Sequence, residues 1–415
     1  FSLPLLSQTY RYISIQTGNW NQTSTWNSIP AGGTTPSTND TVIISAGHTV
    51  TLTANSNCSK AIIYGTLQVS AYNFGVSDST VIFNGGILTD NNIGGATSLN
   101  NLVLKGGTLS GSVTDNFTIN GNLFVYSSST IVQVNLQVNG QTSIANGVTL
   151  NFNNTSGFKT FVGKITNNGT WNCTVNENFT FRGGLENNGT FNSGNGTYTF
   201  NTNNQTLSGT QPITFNGNVA IASGITVTNQ TSVTVNGVLN SSNTASTWVN
   251  DVNSTLRYNN TDTIIMNNSG TLSASAAGNT VIYGGGGTQT IKATTYYNVS
   301  LEGSGDKSLA GATTINNNLS IANGANINLN SQTLTINGNW NNVNTSNYIG
   351  SGTVIFNGSG TQTLRENSVF QNITKSNTGT LRLLNDISLY GTLTLQNGYI
   401  DGNGYNFKVT NGMGT

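Results

Sequence analysis

Charge is what this sequence most lacks. Asp, Glu, Lys and Arg make up 6% of its 415 residues, against roughly 25% in ordinary soluble domains, and glutamate occurs four times. Thirteen basic and thirteen acidic residues cancel. There is no basic patch to hold a nucleic-acid backbone and no polybasic or amphipathic segment for a membrane surface. No stretch of about 20 apolar residues could span a bilayer as a helix. His48 is the single histidine, and without a carboxylate placed beside it no Ser-His-Asp argument can be built. It reads as a structural or surface residue. The two cysteines, Cys58 and Cys173, lie about 115 residues apart. In a stack of short repeats that separation exceeds the reach of a disulfide, so both are expected as buried free thiols. No Cys/His zinc spacing exists, and no cofactor is implied. Good helix formers are scarce, and no apolar 3.6-residue period runs far enough for a normal helix.

Glycine (50 residues) is plentiful, and Asn, Thr and Ser crowd the remainder. The 35% apolar content falls in short alternating runs, which a disordered polar tract would lack. The runs repeat. Gly352–Leu364 reads GTVIFNGSGTQTL, and versions of it occur at Thr80–Gly85, Gly196–Leu207 and Thr280–Ile291. A second unit alternates with it at Val138–Val148, Phe215–Ile225 and Ile315–Ala325. Landmarks recur every 19 or 20 residues. Asn167-Asn168-Gly169-Thr170-Trp171 returns as Asn187-Asn188-Gly189-Thr190-Phe191. The dipeptide Asn-Gly appears at Asn120-Gly121 and Asn139-Gly140, at Asn216-Gly217 and Asn236-Gly237, and at Asn337-Gly338 and Asn357-Gly358. A longer echo carries Gly287-Thr288-Gln289-Thr290 to Gly360-Thr361-Gln362-Thr363.

A 20-residue unit cannot bury an apolar face alone, so the units must stack. The step is too short for a propeller blade and lacks the leucines of a leucine-rich repeat. Short β-branched strands closed by Asn-Gly corners predict an all-β chain, a single-stranded parallel β-helix of about nineteen coils. It is expected to be right-handed, by analogy with parallel crossovers. Asn and Gly are expected at the corners because both tolerate positive φ. Repeated Asn can stack in side-chain amide ladders, with Leu334, Ile336, Val354 and Phe356 stacked inside. A chain of immunoglobulin-like sandwiches would show a longer period and linkers, and neither is present. Residues 1–8 read as the tail of a secretory signal. Residues 9–38 carry Trp20 and Trp26 and two of the four prolines, which suits a cap on the open solenoid end. Residues 39–415 are the β-helix.

β-Helices can host polysaccharide lyases and hydrolases. Here Glu366 and Asp386, near Arg365 and Arg382, are the nearest approach to a paired-carboxylate site, and a solvated salt-bridge cluster is the preferred reading. Glu302 and Asp306 flank an expected turn, no acid-rich loop resembles a calcium site, and Gly284–Gly287 reads as a tight corner. Thr-x-Thr pairs at Thr51/Thr53, Thr333/Thr335 and Thr392/Thr394 are not seen to recur on successive coils, which weakens an ice-binding reading. Exposed aromatics could stack on sugars.

The opening GNWNQTSTWNSIPAGG and NDTVIISAGHTVTL, the following IIYGTLQV, and units such as GTVIFNGSGTQTL with YNVSL resemble large secreted repeat proteins of Bacteroidetes. The resemblance implies a surface-exposed or released β-helical adhesin exported by the type IX secretion system. The preferred expectation is a non-enzymatic extracellular structural or adhesive protein of the bacterial cell surface or of a filament, with a polysaccharide-degrading or carbohydrate-binding protein as the alternative. Its expected partners are surface glycans or other copies of itself, with end-to-end or secretion-machinery contacts. It also implies O-glycosylation at Asp-Ser/Thr-type sites, matched by Thr41, Ser79 and Thr263. Such proteins end in a sorting domain. This chain ends at NGMGT, within the repeat rhythm, and is expected to be part of a longer product.

Overall fold

A computed structural model describes residues 8–91, 96–111, 117–154, 157–344 and 349–409. The suggested signal tail lies outside them but for Gln8, and the terminal NGMGT lies wholly outside. The fold is an all-β parallel solenoid of about 18 turns, with N-terminal strands capping it. Among the described residues a single 3-10 turn, Thr23–Thr25, is the sole helical element. The chain forms two compact units. One comprises residues up to Gln205 with Gly209–Gln211, and the other Thr206–Ser208 with Pro212 onward.

The cap is built first. Arg11–Ser14 pairs antiparallel with Trp26–Ile29 and parallel with Thr41–Ile44, the first strand of the solenoid. Trp20 and Trp26 are both buried. Their rings meet edge to face at 5.5 Å, and Trp20 also packs on Phe74. The indole Nε1 of Trp26 donates to the Trp20 carbonyl (2.7 Å), so neither ring buries an unmet donor. Asp40 ties the cap down by accepting from Tyr10 N, Ser37 N and Ser37 Oγ.

In the first unit several early turns join one long, bulged strand to one short strand, as in Phe74–Phe83 and Ile87–Asp90, and from Phe117 to Asn192 each turn is three short strands. Phe117–Ile119, Leu123–Ser127 and Ser129–Ile131 form one turn, and each pairs in parallel with the equivalent strand of the next, Leu136–Val138, Thr142–Ile144 and Thr149–Phe152. Alternate residues point inward and stack in columns. Leu99, Ile119, Val138, Phe161, Phe181 and Phe200 succeed one another by register, and all are fully buried. Each large side chain of this kind stabilises the fold by about 1.5–3 kcal/mol. In the second unit Leu334 pairs with Val354 and Ile336 with Phe356, inside as expected. The landmark steps are also turn-to-turn contacts: Ile119 faces Val138, Trp171 faces Phe191 and Phe215 faces Val235. The turns are not uniform. Val50 pairs with Leu67 but Tyr258 with Tyr283, so the step ranges from about 17 to about 25 residues.

The amide ladders form. Asn139 Nδ2 donates to Asn120 Oδ1 (3.3 Å), Asn236 to Asn216 (2.8 Å), Asn259 to Asn236 (2.8 Å) and Asn357 to Asn337 (3.1 Å). Positive φ is the reason for glycine at some corners, as at Gly85, Gly147, Gly224 and Gly324, but not at the Asn-Gly landmarks. Gly121, Gly140, Gly217, Gly237, Gly338 and Gly358 do not have positive φ, nor do the asparagines before them. Glycine is needed because the preceding turn occupies the Cβ position. A Cβ on Gly140 would sit 2.4 Å from the Gly121 carbonyl oxygen, and one on Gly358 would sit 2.4 Å from that of Asn337.

At three corners a buried glutamine bridges backbone groups, some of which have no other backbone partner. Gln362 Nε2 donates to the carbonyls of Ile336 and Gly338, and its Oε1 accepts from Gly358 N. Gln289 does the same for Tyr258, Asn260 and Gly285, and Gln205 for Phe181, Asn201 and Gly184. The conspicuous Gly-x-Gln-x echo in the sequence is this clamp. The Ile336 carbonyl also accepts from Asn357 N, so Gln362→Leu strands two backbone groups, Gly338 O and Gly358 N, at about 1–3 kcal/mol each. It is expected to lower stability by at least about 2 kcal/mol, measured by chemical denaturation, whereas Gln332→Leu at an exposed corner should change it by well under 1 kcal/mol.

Candidate binding face

The charged residues serve the scaffold. Glu366 is fully buried, so the expected solvated cluster with Asp386 does not form. Its carboxylate accepts from Trp340 Nε1 (2.9 Å), Asn342 Nδ2 (2.6 Å) and Ser368 N (2.8 Å). Burial pushes this carboxyl above its ordinary range, and those hydrogen bonds pull it part-way back. Asp386 faces outward and pairs with Lys408 (2.6 Å), and Arg382 pairs with Asp401. Glu302 pairs with Arg257 from another turn, and Asp306 accepts from Asn326 (3.1 Å). His48 is half-buried at the cap joint, with Nδ1 3.0 Å from Ser14 Oγ. Both cysteines are buried and free.

Three lysines lie wholly inside. Lys159 pairs with Glu177, whose carboxyl burial lifts to about 7. Lys375 Nζ donates to the carbonyls of Gly358 and Asn377, and Lys307 Nζ to those of Gly285, Gly287 and Ser304. Gly284–Gly287 is thus a corner held from one side by Gln289 and from the other by Lys307. Among the described residues no group of three His, Cys, Asp or Glu side chains is placed to hold a metal ion.

The glycosylation candidates sit in structured positions. Thr41 begins a strand and is half-buried. Ser79 is half-buried within Phe74–Phe83, its hydroxyl 3.3 Å from Asp78. The Thr263 hydroxyl lies 3.1 Å from both Asn260 Oδ1 and Tyr258 OH.

One outward face of the first unit breaks the rule of amides and hydroxyls. Ile62 pairs with Val81, Val81 with Val103 and Val103 with Phe124, and all four are outward-facing and half-exposed. A second column runs beside it. The Tyr64 ring stacks on Phe83 (4.4 Å, 16°), and Lys105 holds its ammonium 5.4 Å from the centre of the Phe83 ring. The register then shifts between Leu104 and Lys105, so that Lys105 faces Ser127. Tyr126, the residue passed over, is 55% exposed. It stacks nearly parallel to Phe124 (6.1 Å, 8°). Isolated outward Val or Ile needs no explanation on a sheet. A contiguous strip of seven apolar and aromatic side chains over four successive turns does. At the corner leading into this face a groove of about 420 Å³ is lined by polar groups of Asn57, Ser77, Ser98, Asn100 and Asn120. Comparison with protein-family models, curated proteins and solved structures finds no match to this chain. The β-solenoid is established on its geometry alone.

A second regular surface lies on the second unit. Thr295, Thr314, Thr335, Ile355, Thr374 and Thr394 form one outward column over six turns. Thr333, Thr353 and Asn372 lie beside it, followed by Thr392, which bonds Asn372 Oδ1. As expected, complete Thr-x-Thr pairs do not recur on successive turns: between Thr333/Thr335 and Thr392/Thr394 stand Thr353/Ile355 and Asn372/Thr374. Single threonines do recur in one column, which the pairs alone do not reveal.

Lys307 gives a pH test of the buried scaffold. Burial, only partly offset by Asp306, lowers its ammonium from 10.5 to about 8. Between those values the folded chain holds a neutral amine while the unfolded chain is still protonated. Unfolding therefore takes up a proton, and stability rises with pH across that window. In urea denaturation the stability difference between wild type and Lys307→Met should move in favour of wild type from about pH 8 to about pH 10.5.

Proposed function

We propose that this protein is a non-enzymatic extracellular adhesive scaffold that binds surface glycans along the face from Ile62 to Tyr126. The observation that carries the reading is the contiguous strip of apolar and aromatic side chains on one outward face of four successive turns. A sugar ring has one apolar C–H face and a hydroxyl rim. The outward edges of Tyr64 and Phe83 and the exposed Tyr126 beside Phe124 offer apolar surface to the first, and Asn100, Asn101 and Asn120 alongside offer amides to the second. Turns about 4.8 Å apart repeat the platform along the axis, which suits a polymer better than a single small ligand. The resemblance to secreted repeat proteins of Bacteroidetes agrees with a cell-surface or released location and type IX export. Isolation of Glu366 from Asp386 favours binding over polysaccharide cleavage.

The test is retention on insoluble polysaccharides and on whole bacterial or plant cell walls. Wild type is expected to be retained. Phe83→Ala and Tyr126→Ala should each weaken retention about tenfold, and the double variant should abolish it, with unchanged circular dichroism. Retention untouched by the double variant, or association only with other copies of this chain in size-exclusion runs, defeats the reading.

The threonine columns favour a second reading, ice binding. Hydroxyls and methyls repeat at about 4.8 Å between turns and about 6.6 Å along a strand, spacings near those of oxygens in ice, and this face carries no charge. Thermal hysteresis lost on Thr335→Tyr with Thr374→Tyr is its expected signature. No hysteresis and no inhibition of ice recrystallisation by wild type removes it.

A further inference from the structure

We infer that the aromatic face takes an acidic glycan, a polymer bearing carboxylate or sulfate groups, with the Lys105 ammonium as its anion contact. This rests on the glycan reading and specifies its substrate class. Exposed or half-exposed Lys164, Arg257, Arg382 and Lys408 each hold a carboxylate, and the buried Lys307 and Lys375 are used up on backbone carbonyls. Arg11, Lys60, Lys105 and Arg365 pair with no described carboxylate, and of these four Lys105 is the one set against an aromatic ring. Lys105 is exposed, and among the described residues its recorded contact is with the Phe83 ring. No described carboxylate pairs with it.

Its placement is as informative as its freedom. By register Lys105 occupies the Tyr64–Phe83 column one turn on from Phe83, and the exposed Tyr126 lies beside it on the following turn, next to Ser127, which Lys105 faces. A sugar laid along the outer edges of the Tyr64–Phe83 pair would bring a substituent of the next ring within reach of the ammonium. The ring contact holds the stem down while leaving the charge open to solvent. The acid of this region, Asp78, is bonded to Ser79 on the opposite rim, where Ser79 aligns with Lys60 and Asn101. Asp78 lies five residues along the strand from Phe83, so the aromatic column itself carries positive charge and no negative charge.

The experiment uses the full chain and three soluble polymers: dextran, dextran sulfate and polygalacturonate. Binding is measured by affinity electrophoresis and calorimetry at low and high salt. At low salt at least one acidic polymer should bind about tenfold more tightly than dextran, and the advantage should shrink as salt screens the contact. The two acidic arms tell sulfate from carboxylate recognition. Lys105→Gln should remove the acidic preference and its salt dependence while leaving dextran binding in place. Phe83→Ala should weaken binding to every polymer, and Lys408→Gln, which removes the same charge elsewhere, should change nothing. Equal binding of acidic and neutral polymers, or an acidic preference that survives Lys105→Gln, overturns this inference and leaves the glycan reading standing. Binding to none of the three, together with no retention on cell walls, overturns both.

Discussion

The hydrogen-bonded ladder between successive turns is the constraint that everything else obeys. It sets neighbouring backbones about 4.8 Å apart and aligns equivalent residues in columns. Each side chain must then be compatible with its counterparts directly above and below. Apolar residues meet this by stacking, as Ile336 does on Phe356. Asparagine meets it because one amide carries both a donor and an acceptor, so Asn216, Asn236 and Asn259 satisfy one another along the axis. A column of like charges would repel, which gives a physical reason for the scarcity of Asp, Glu, Lys and Arg. Glycine at a corner is the same constraint applied to backbone. At Gly140 and Gly358 the adjoining turn already fills the place of a side chain.

Irregular turns test this arrangement, and polar side chains repair it. At some corners the ladder is interrupted, and backbone groups such as Gly338 O and Gly358 N have no other backbone partner. Gln205, Gln289 and Gln362 each bridge such a corner with both ends of the amide. Lys307 and Lys375 reach corner carbonyls from the turn beyond. Glu366 gathers donors instead. These buried polar groups are fully engaged, the condition under which they specify a structure rather than weaken it.

Much of this was legible in the chain. The Asn-Gly spacing gave the turn-to-turn register of Ile119 with Val138 and of Phe215 with Val235. Two tryptophans outside the repeat marked the cap. What failed did so for identifiable reasons. Glu366 was read as solvated because it is charged, although the two-residue alternation through Leu364 and Arg365 already turns it inward. The threonine column does not show as Thr-x-Thr pairs because Ile355 and Asn372 replace one member of the pair on two intervening turns. The aromatic strip was hidden by its own composition. A short apolar run such as TVIF or AIIY does not by itself say which face is covered, and only the structure shows Ile62 and Val81 half-exposed and Tyr64 exposed.

That last point bears on how such a scaffold acquires function. Inward columns are coupled to one another through packing and cannot change singly without strain. Outward columns contact little beyond their neighbours in the same column, so they can vary while the core stays fixed. Replacing hydroxyls by Val, Ile and aromatic residues at equivalent positions of four turns yields a linear platform already in register, with no new fold and no loop to order. Ordinary alternation along the strands then places a cation, Lys105, and an extra ring, Tyr126, on the same face. The solenoid turns small outward changes into a one-dimensional array, and an array of that kind matches a partner that is itself a repeating chain.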